Sequence, residues 1–147
     1  MSLMFGHDLD VASWVGDRLG VVFVPPYTSI GVLNKRGTLI GGLVFTDYNG
    51  ANIEVTFYGP GCITKAGLQG MFAYVFTQLK CTRLTARTPR SNRAMRELLP
   101  RLGFHHECVQ PRYYGRSKAC DAFVHRMMDT ECHWITRNEQ QLTPAAA

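Results

Sequence analysis

The run Ile63-Thr64-Lys65-Ala66-Gly67-Leu68-Gln69-Gly70-Met71-Phe72-Ala73-Tyr74-Val75-Phe76-Thr77-Gln78-Leu79-Lys80, together with the next residues up to Phe104, decides the fold. Leu68, Met71, Phe72, Val75, Phe76 and Leu79 fall at i, i+3, i+4, i+7, i+8 and i+11, which predicts one apolar face of a helix. Thr64 can cap its start, and Gly67 and Gly70, a turn apart, leave a strip without side chains that a backbone or a ligand could approach. Thr82-Arg83-Leu84-Thr85-Ala86-Arg87 then alternates polar and apolar residues, the period of a strand, and Pro89 ends it. A second helix comes next. Ser91 or Asn92 caps it, Met95, Leu98, Leu99 and Leu102 form its buried stripe, and Gly103 stands at the left-handed C-terminal position. Pro100 removes an N–H from the last turn and predicts a kink or a tightening there.

Upstream, Leu9, Ala12, Val15 and Leu19 have the spacing of an amphipathic helix over 8–19, with His7 or Asp8 at its start. Residues 21–27 contain Pro25-Pro26 and read as an extended loop that could flank a site. Residues 29–33, 38–47 and 51–58 read as an antiparallel meander, with Asn49-Gly50 as its hairpin turn. Gly41-Gly42 inside the second strand signals a bulge or a close approach by another element. In the third strand Ile53, Val55 and Phe57 share one face and Asn52, Glu54 and Thr56 the other. Downstream, 105–109 and 119–128 read as two more strands around the basic loop Arg112-Tyr113-Tyr114-Gly115-Arg116, and 137–147 carries no core signal. The order of elements predicts one α+β domain over 1–147, with helices on the faces of a mixed, mostly antiparallel sheet and a peripheral tail at 137–147.

A chain of 147 residues with 46% hydrophobic and 18% charged residues can bury a single core without staples. No apolar run reaches the roughly 20 residues that span a bilayer, and the N-terminus lacks a signal pattern, so a cytoplasmic protein without a membrane partner is expected. The five cysteines contain no C-x-x-C pair, which predicts reduced thiols rather than a disulfide framework. His105, His106, Cys108, Cys132 and His133 lack standard ligand spacing, so no metal is expected. The formal charge of +5 is uneven: Lys80, Arg83, Arg87, Arg90, Arg93, Arg96 and Arg101 face only Glu97 across that stretch, which suggests an anionic ligand. Nucleic acid is the weaker candidate, because no aromatics there could stack bases.

Tyr58-Gly59-Pro60-Gly61 leads from a strand into the central helix, a turn whose free N–H groups and helix dipole attract phosphate. Asn92-Arg93-Ala94-Met95-Arg96-Glu97-Leu98-Leu99-Pro100-Arg101-Leu102-Gly103-Phe104 resembles the asparagine-to-Leu-Gly-Phe signature of the GNAT N-acetyltransferases, and the ending Met128-Asp129-Thr130-Glu131-Cys132-His133-Trp134 is similar to that of small phage and bacterial members. The resemblance covers roughly 29–135. It implies acetyl-CoA in a cleft where two central parallel strands, 51–58 and 82–87, splay apart, and direct transfer of the acetyl group to a primary amine of a protein, peptide or small metabolite in a ternary complex. It also implies that Thr56, Phe57 and Tyr58 hold the pantetheine arm, that Thr64, Lys65 and Gly67 receive the pyrophosphate, and that Asn92 contacts the same cosubstrate. Two departures qualify it. Of the family's spaced phosphate-loop glycines only Gly67 remains, with Lys65 at the position of the first. Leu99 stands where many members have the tyrosine that protonates the leaving thiolate.

Glu54 is the candidate general base, since an attacking ammonium must first lose a proton. The bland reading of Glu54 is a strand carboxylate paired with an arginine. The acid stays open: Tyr58 is the candidate, with Tyr113 and Tyr114 alternatives on chemistry alone. Cys62, near the helix start, is the one thiol with a place suited to a nucleophile. The runner-up function is a non-catalytic module that binds CoA or nucleic acid, and the expected assembly is a monomer or a homodimer.

Overall fold

The computed structural model describes residues 1–135; the tail expected to be peripheral at 137–147 lies outside the described residues. Seven strands form one sheet in the order β1-β2-β3-β4-β5-β7-β6: β1 (Ser2–Met4), β2 (Thr28–Leu33), β3 (Leu39–Thr46), β4 (Asn52–Tyr58), β5 (Arg83–Pro89), β6 (His105–Gln110) and β7 (Ala122–Met128). Every joint is antiparallel except β4–β5, which is parallel. The helices are α1 (Asp8–Leu19), α2 (Lys65–Phe72) and α3 (Arg93–Leu102).

The sheet is buried on one side by a dry layer. Ile53, Val55 and Phe57 of β4 and Leu84 and Ala86 of β5 meet Leu68, Met71, Phe72, Val75 and Phe76 from the central helix and Leu99 and Leu102 from α3. Trp134 closes this layer, stacked on Phe72 with centroids 6.1 Å apart, and donates from Nε1 to the Leu102 carbonyl at 2.7 Å. On the other side α1 lays Val11, Ala12 and Val15 against Val44 of β3. Asp8 ties its start to β2 by accepting from the Ser29 N–H at 2.8 Å and hydroxyl at 3.0 Å.

Gly41-Gly42 is a double close approach. A Cβ on Gly42 would sit 2.5 Å from Val15 Cγ2 of α1, and one on Gly41 would sit 2.8 Å from the Cys62 backbone N. Because neighbouring strand residues face opposite ways, each glycine admits a different element to the sheet.

Three expectations need correction. β1 has no counterpart in the sequence reading: its three residues are too few to show alternation, and only pairing with β2, from Ser2↔Leu33 to Met4↔Gly31, makes it a strand. The central helix is not uniform. It begins as a 3₁₀ turn (Pro60–Ile63), continues as α2 and widens into a π-helix over Ala73–Gln78, where the Leu79 N–H reaches back to the Tyr74 carbonyl at 2.8 Å. The strand expected from Ala119 starts at Ala122, after a 3₁₀ turn over Lys118–Cys120. Of the two approaches expected at the Gly67 and Gly70 strip, a backbone makes the one at Gly67, where a Cβ would lie 2.3 Å from the Gly61 carbonyl oxygen, and a side chain fills the other, 2.5 Å from Leu3 Cδ1. Pro100 lies inside α3, which closes on left-handed Gly103 as expected, with Gly103 N–H bonded to the Pro100 carbonyl at 3.1 Å and Phe104 N–H to that of Leu99 at 3.0 Å.

Candidate active site

The site begins where the parallel pair stops. β4 and β5 are in register from Asn52↔Arg83 to Val55↔Ala86. Beyond that point β4 keeps its β3 partners as far as Tyr58↔Gly42, and β5 keeps its β7 partners as far as Pro89↔Ala122. Among the described residues, Thr56, Phe57 and Tyr58 therefore have no strand neighbour on their β5 side, and a row of backbone groups borders an opening between two strands. Phe57 turns its ring into the dry layer, so it offers this opening its backbone alone. The Tyr58 carbonyl already accepts from Cys62 Sγ at 3.3 Å.

At the far end of β4 the chain enters α2. Thr64 caps it, its Oγ1 accepting from the Gly67 N–H at 3.2 Å and donating to the Gly61 carbonyl at 2.6 Å. The N–H groups of Lys65 and Ala66 are left over, as the first amides of a helix are, and Lys65, at the first helical position, is exposed. Gly67 is a packing residue, with its N–H taken by the cap. Asn92 caps α3, its Oδ1 accepting from the Met95 N–H at 3.2 Å, so the amino group of its side chain is what it has left to offer.

On the open face Glu54 stands near the end of the paired part of β4, with its carboxylate mostly shielded, and forms an ion pair with Arg87 Nη2 at 3.2 Å. Burial pushes its carboxyl pKa up, the Arg87 cation pulls it back, and Asp47 raises it again. Arg87 is the first β5 residue past the paired segment. Its guanidinium lies 4.4 Å from the Tyr113 ring centroid and also hydrogen-bonds the Tyr113 hydroxyl through Nη1. Tyr114 meets Tyr113 edge to face at 4.9 Å, and burial first, then the nearby Glu54 charge, pushes its hydroxyl up to about 12. A groove of about 410 Å³ runs from Glu54 along Asp47, Asn52, Arg83, Thr85 and Glu107.

The structure thus joins Glu54 to Arg87, Tyr113 and Tyr114, and separates it from Tyr58. Tyr58 lies four residues along the strand, about 13 Å at strand rise, with its ring edge-on to Trp14 of α1 at 5.9 Å. Leu99 is fully buried in the dry layer, so its position offers a hydroxyl no polar partner. Cys62 is buried too, and its thiol, bonded to the Gly42 and Tyr58 carbonyls, is pushed up to about 12 by burial, which removes it as a nucleophile. The sequence reading offered an arginine partner for Glu54 without naming it, and had placed Arg87 among the cations awaiting an anion.

That cluster of cations largely dissolves in three dimensions. Arg83 pairs with Glu107, Arg87 with Glu54, Arg90 with Asp121 and Arg93 with Glu97, while Arg96 stacks on Phe123 at 4.8 Å. Among the described residues no three His, Cys, Asp or Glu side chains converge as metal ligands, and no helix is long and apolar enough to cross a membrane. The five cysteines are free thiols.

Solved structures share this architecture. A mutant of spermidine N-acetyltransferase SpeG from Vibrio cholerae superposes with a TM-score of 0.75 at 12% identity, over 94% of this chain and 99% of that one. A GCN5-related N-acetyltransferase from Brucella melitensis does so with a TM-score of 0.60 at 21% identity, over 78% and 54%. No protein-family model matches the chain, and no curated protein sequence does. At such identities the likeness concerns the fold, and the chain has the fold of the GCN5-related N-acetyltransferases.

Proposed function

We propose that this protein is an N-acetyltransferase that moves the acetyl group of acetyl-CoA to a primary amine by direct attack in a ternary complex. One observation carries the proposal: the parallel joint of the sheet opens after Val55 and Ala86, with a free helix start at one end of the opening and a mostly shielded carboxylate at the other.

The backbone of Thr56–Tyr58 borders the opening as an added strand would require, and suits the amide-bearing pantetheine arm. Lys65 and the leftover amides of Lys65 and Ala66 suit a pyrophosphate. Thr64 and Gly67 contribute by shaping that helix start, and the side-chain amino group of Asn92 is available to the same ligand. A backbone N–H of β4 aimed at the acetyl oxygen would stabilise the charge that grows on it. Glu54 takes the proton from the acceptor nitrogen as that nitrogen bonds to the acetyl carbon; the carbon–sulfur bond breaks and its electron pair leaves with sulfur. A carboxyl pKa raised by burial is suited to that work. Among the tyrosines, Tyr113 and Tyr114 stand with Glu54, so they displace Tyr58 as proton donors to the thiolate.

The acceptor would enter along the groove below Glu54, where Asp47, Glu54 and Glu107 outnumber Arg83 and Arg87. A cationic amine suits that balance. The spermidine N-acetyltransferases of the same fold are named for such a substrate. The assembly we propose is a monomer or a homodimer.

Calorimetry with acetyl-CoA, followed by thiol release with a panel of mono- and polyamines, tests the reading. We expect binding, and release that depends on an amine. No binding at millimolar acetyl-CoA would sink it, and binding without release for any amine would leave a CoA-binding module. Lys65→Glu should weaken acetyl-CoA binding roughly tenfold through the phosphates.

A further inference from the structure

Arg87 makes more contacts at the site than an ion pair with the base requires. One guanidinium nitrogen, Nη2, is 3.2 Å from Glu54, while Nη1 bonds the Tyr113 hydroxyl and the guanidinium plane lies against the Tyr113 ring. The arginine is itself largely buried, and its Nε has no partner among the described residues. It springs from the first position where β5 leaves β4. Tyr113 belongs to the loop joining β6 to β7. The remainder of that loop is anchored elsewhere: Asp121 accepts from the Arg112 N–H at 2.9 Å and faces Arg90, and the Tyr114 N–H bonds the Cys120 carbonyl at 2.9 Å. None of those backbone and ion-pair anchors involves Glu54; Tyr114 faces its charge, and Arg87 is the side chain that contacts both the loop and the carboxylate.

We propose that Arg87 is the positioning residue of this site: a single fork that fixes the Glu54 carboxylate at the mouth of the cleft and pins the β6–β7 loop across it through Tyr113. The role in catalysis rests on Glu54 being the base, whereas the linkage itself does not. A planar guanidinium can hold both partners at once; an ammonium, a point charge on a flexible stem, cannot reproduce the fork. The Arg87 charge also favours the ionised form of Glu54. The other charged or titratable groups facing Glu54 are Asp47 from the β3–β4 turn, Tyr114 from the loop, and Arg83, Glu107 and Cys108 farther along the groove. Of these Arg87 alone both touches the carboxylate and bears the opposite charge, since Arg83 is held by Glu107. When an acceptor ammonium arrives it competes with Nη2 for the carboxylate, and Arg87 keeps its hold on Tyr113.

Two measurements on the protein alone test this, so they stand apart from whether the chain turns over acetyl-CoA. In the first, carbon NMR follows the Glu54 carboxyl through its titration in wild type, Arg87→Gln and Arg87→Lys. Its pKa should rise in Arg87→Gln and stay near wild type in Arg87→Lys, which keeps the charge. In the second, limited trypsin digestion cuts the loop after Arg112 and Arg116. Cleavage should be roughly five-fold faster in Arg87→Gln and Tyr113→Leu, the scale of a lost cation–π contact of about 1 kcal/mol, while Tyr113→Leu leaves the Glu54 titration in place. An unmoved Glu54 titration in Arg87→Gln, or loop cleavage at the wild-type rate in both variants, overturns the proposal. Should Arg87→Gln fail to fold, Arg87→Lys decides: the lost fork should still speed cleavage at an unchanged Glu54 titration, and wild-type cleavage there refutes the pinning. Where wild type does release thiol, the acid limb of kcat/KM should move to higher pH in Arg87→Gln, a shift that loosened packing alone does not produce.

Discussion

The two faces of β4 answer the same backbone in opposite ways. Ile53, Val55 and Phe57 point into a dry layer against the central helix, while Glu54, Thr56 and Tyr58, one residue out of step, face a side on which α1 covers chiefly β2 and β3. On the first face the neighbours are mostly apolar side chains and the requirement is volume. On the second the neighbours are charged, and Glu54, Arg87, Arg83 and Glu107 hold one another in pairs. Stability is thus concentrated on one side of the strand and chemistry on the other, and a substitution should reveal which side it touches by what it changes.

The largest effect expected is on the dry face. Phe72 is fully buried and meets Phe76, Phe104 and Trp134, so Phe72→Ala removes the centre of that cluster and should cost about 3–5 kcal/mol. Urea unfolding measures it; a loss below about 1 kcal/mol would mean that the layer does not carry the fold. Glu54→Gln is its counterpart across the strand. We expect kcat/KM to fall by ~10²-fold or more at neutral pH with acetyl-CoA affinity nearly unchanged. The defect should shrink as pH rises and the amine deprotonates in bulk water. Thermal stability should hold or rise: a carboxyl whose folded pKa lies above its unfolded value adds stability only at low pH, and that contribution is lost as pH rises through the folded pKa. A stability loss with a pH-independent rate defect would make Glu54 a structural residue.

The smallest effect concerns a histidine buried on the dry side. His125 is 2% exposed and pairs across the ladder with Ala86; burial, then His106 and Arg96, hold its pKa below the usual imidazole value. A folded pKa below the unfolded one near 6.5 means that the unfolded chain takes the proton first, so stability present at pH 8 is lost as pH falls below about 6.5. His125→Gln should flatten that decline between pH 8 and 5, read as the change in urea midpoint at the two pH values. An unchanged slope would place the acid sensitivity elsewhere.

Much of this molecule can be read without coordinates because its signals are local. A 3.6-residue apolar period marks the central helix and α3 whatever they pack against, Asn49-Gly50 forms its turn from its own backbone preference, and alternation in β4 places Glu54 opposite Ile53 and Val55. The adjacent glycines 41 and 42 announce a bulge or a close contact, and the packing makes it the contact. Other features depend on partners distant in sequence. β1 exists only through β2, and the π-helix after Phe72 shows no mark in composition. The run of cations between Lys80 and Arg101 looks unpaired in one dimension because Glu54, Glu107 and Asp121, which pair with Arg87, Arg83 and Arg90, come from other segments of the chain. The same limit decides the candidate site: Glu54 is legible as a carboxylate on the open face, but its company is fixed by where β5 departs from β4 and by a loop from the far side of the sheet. Spacing along a chain encodes which way a side chain points; what it meets there is a property of the packing.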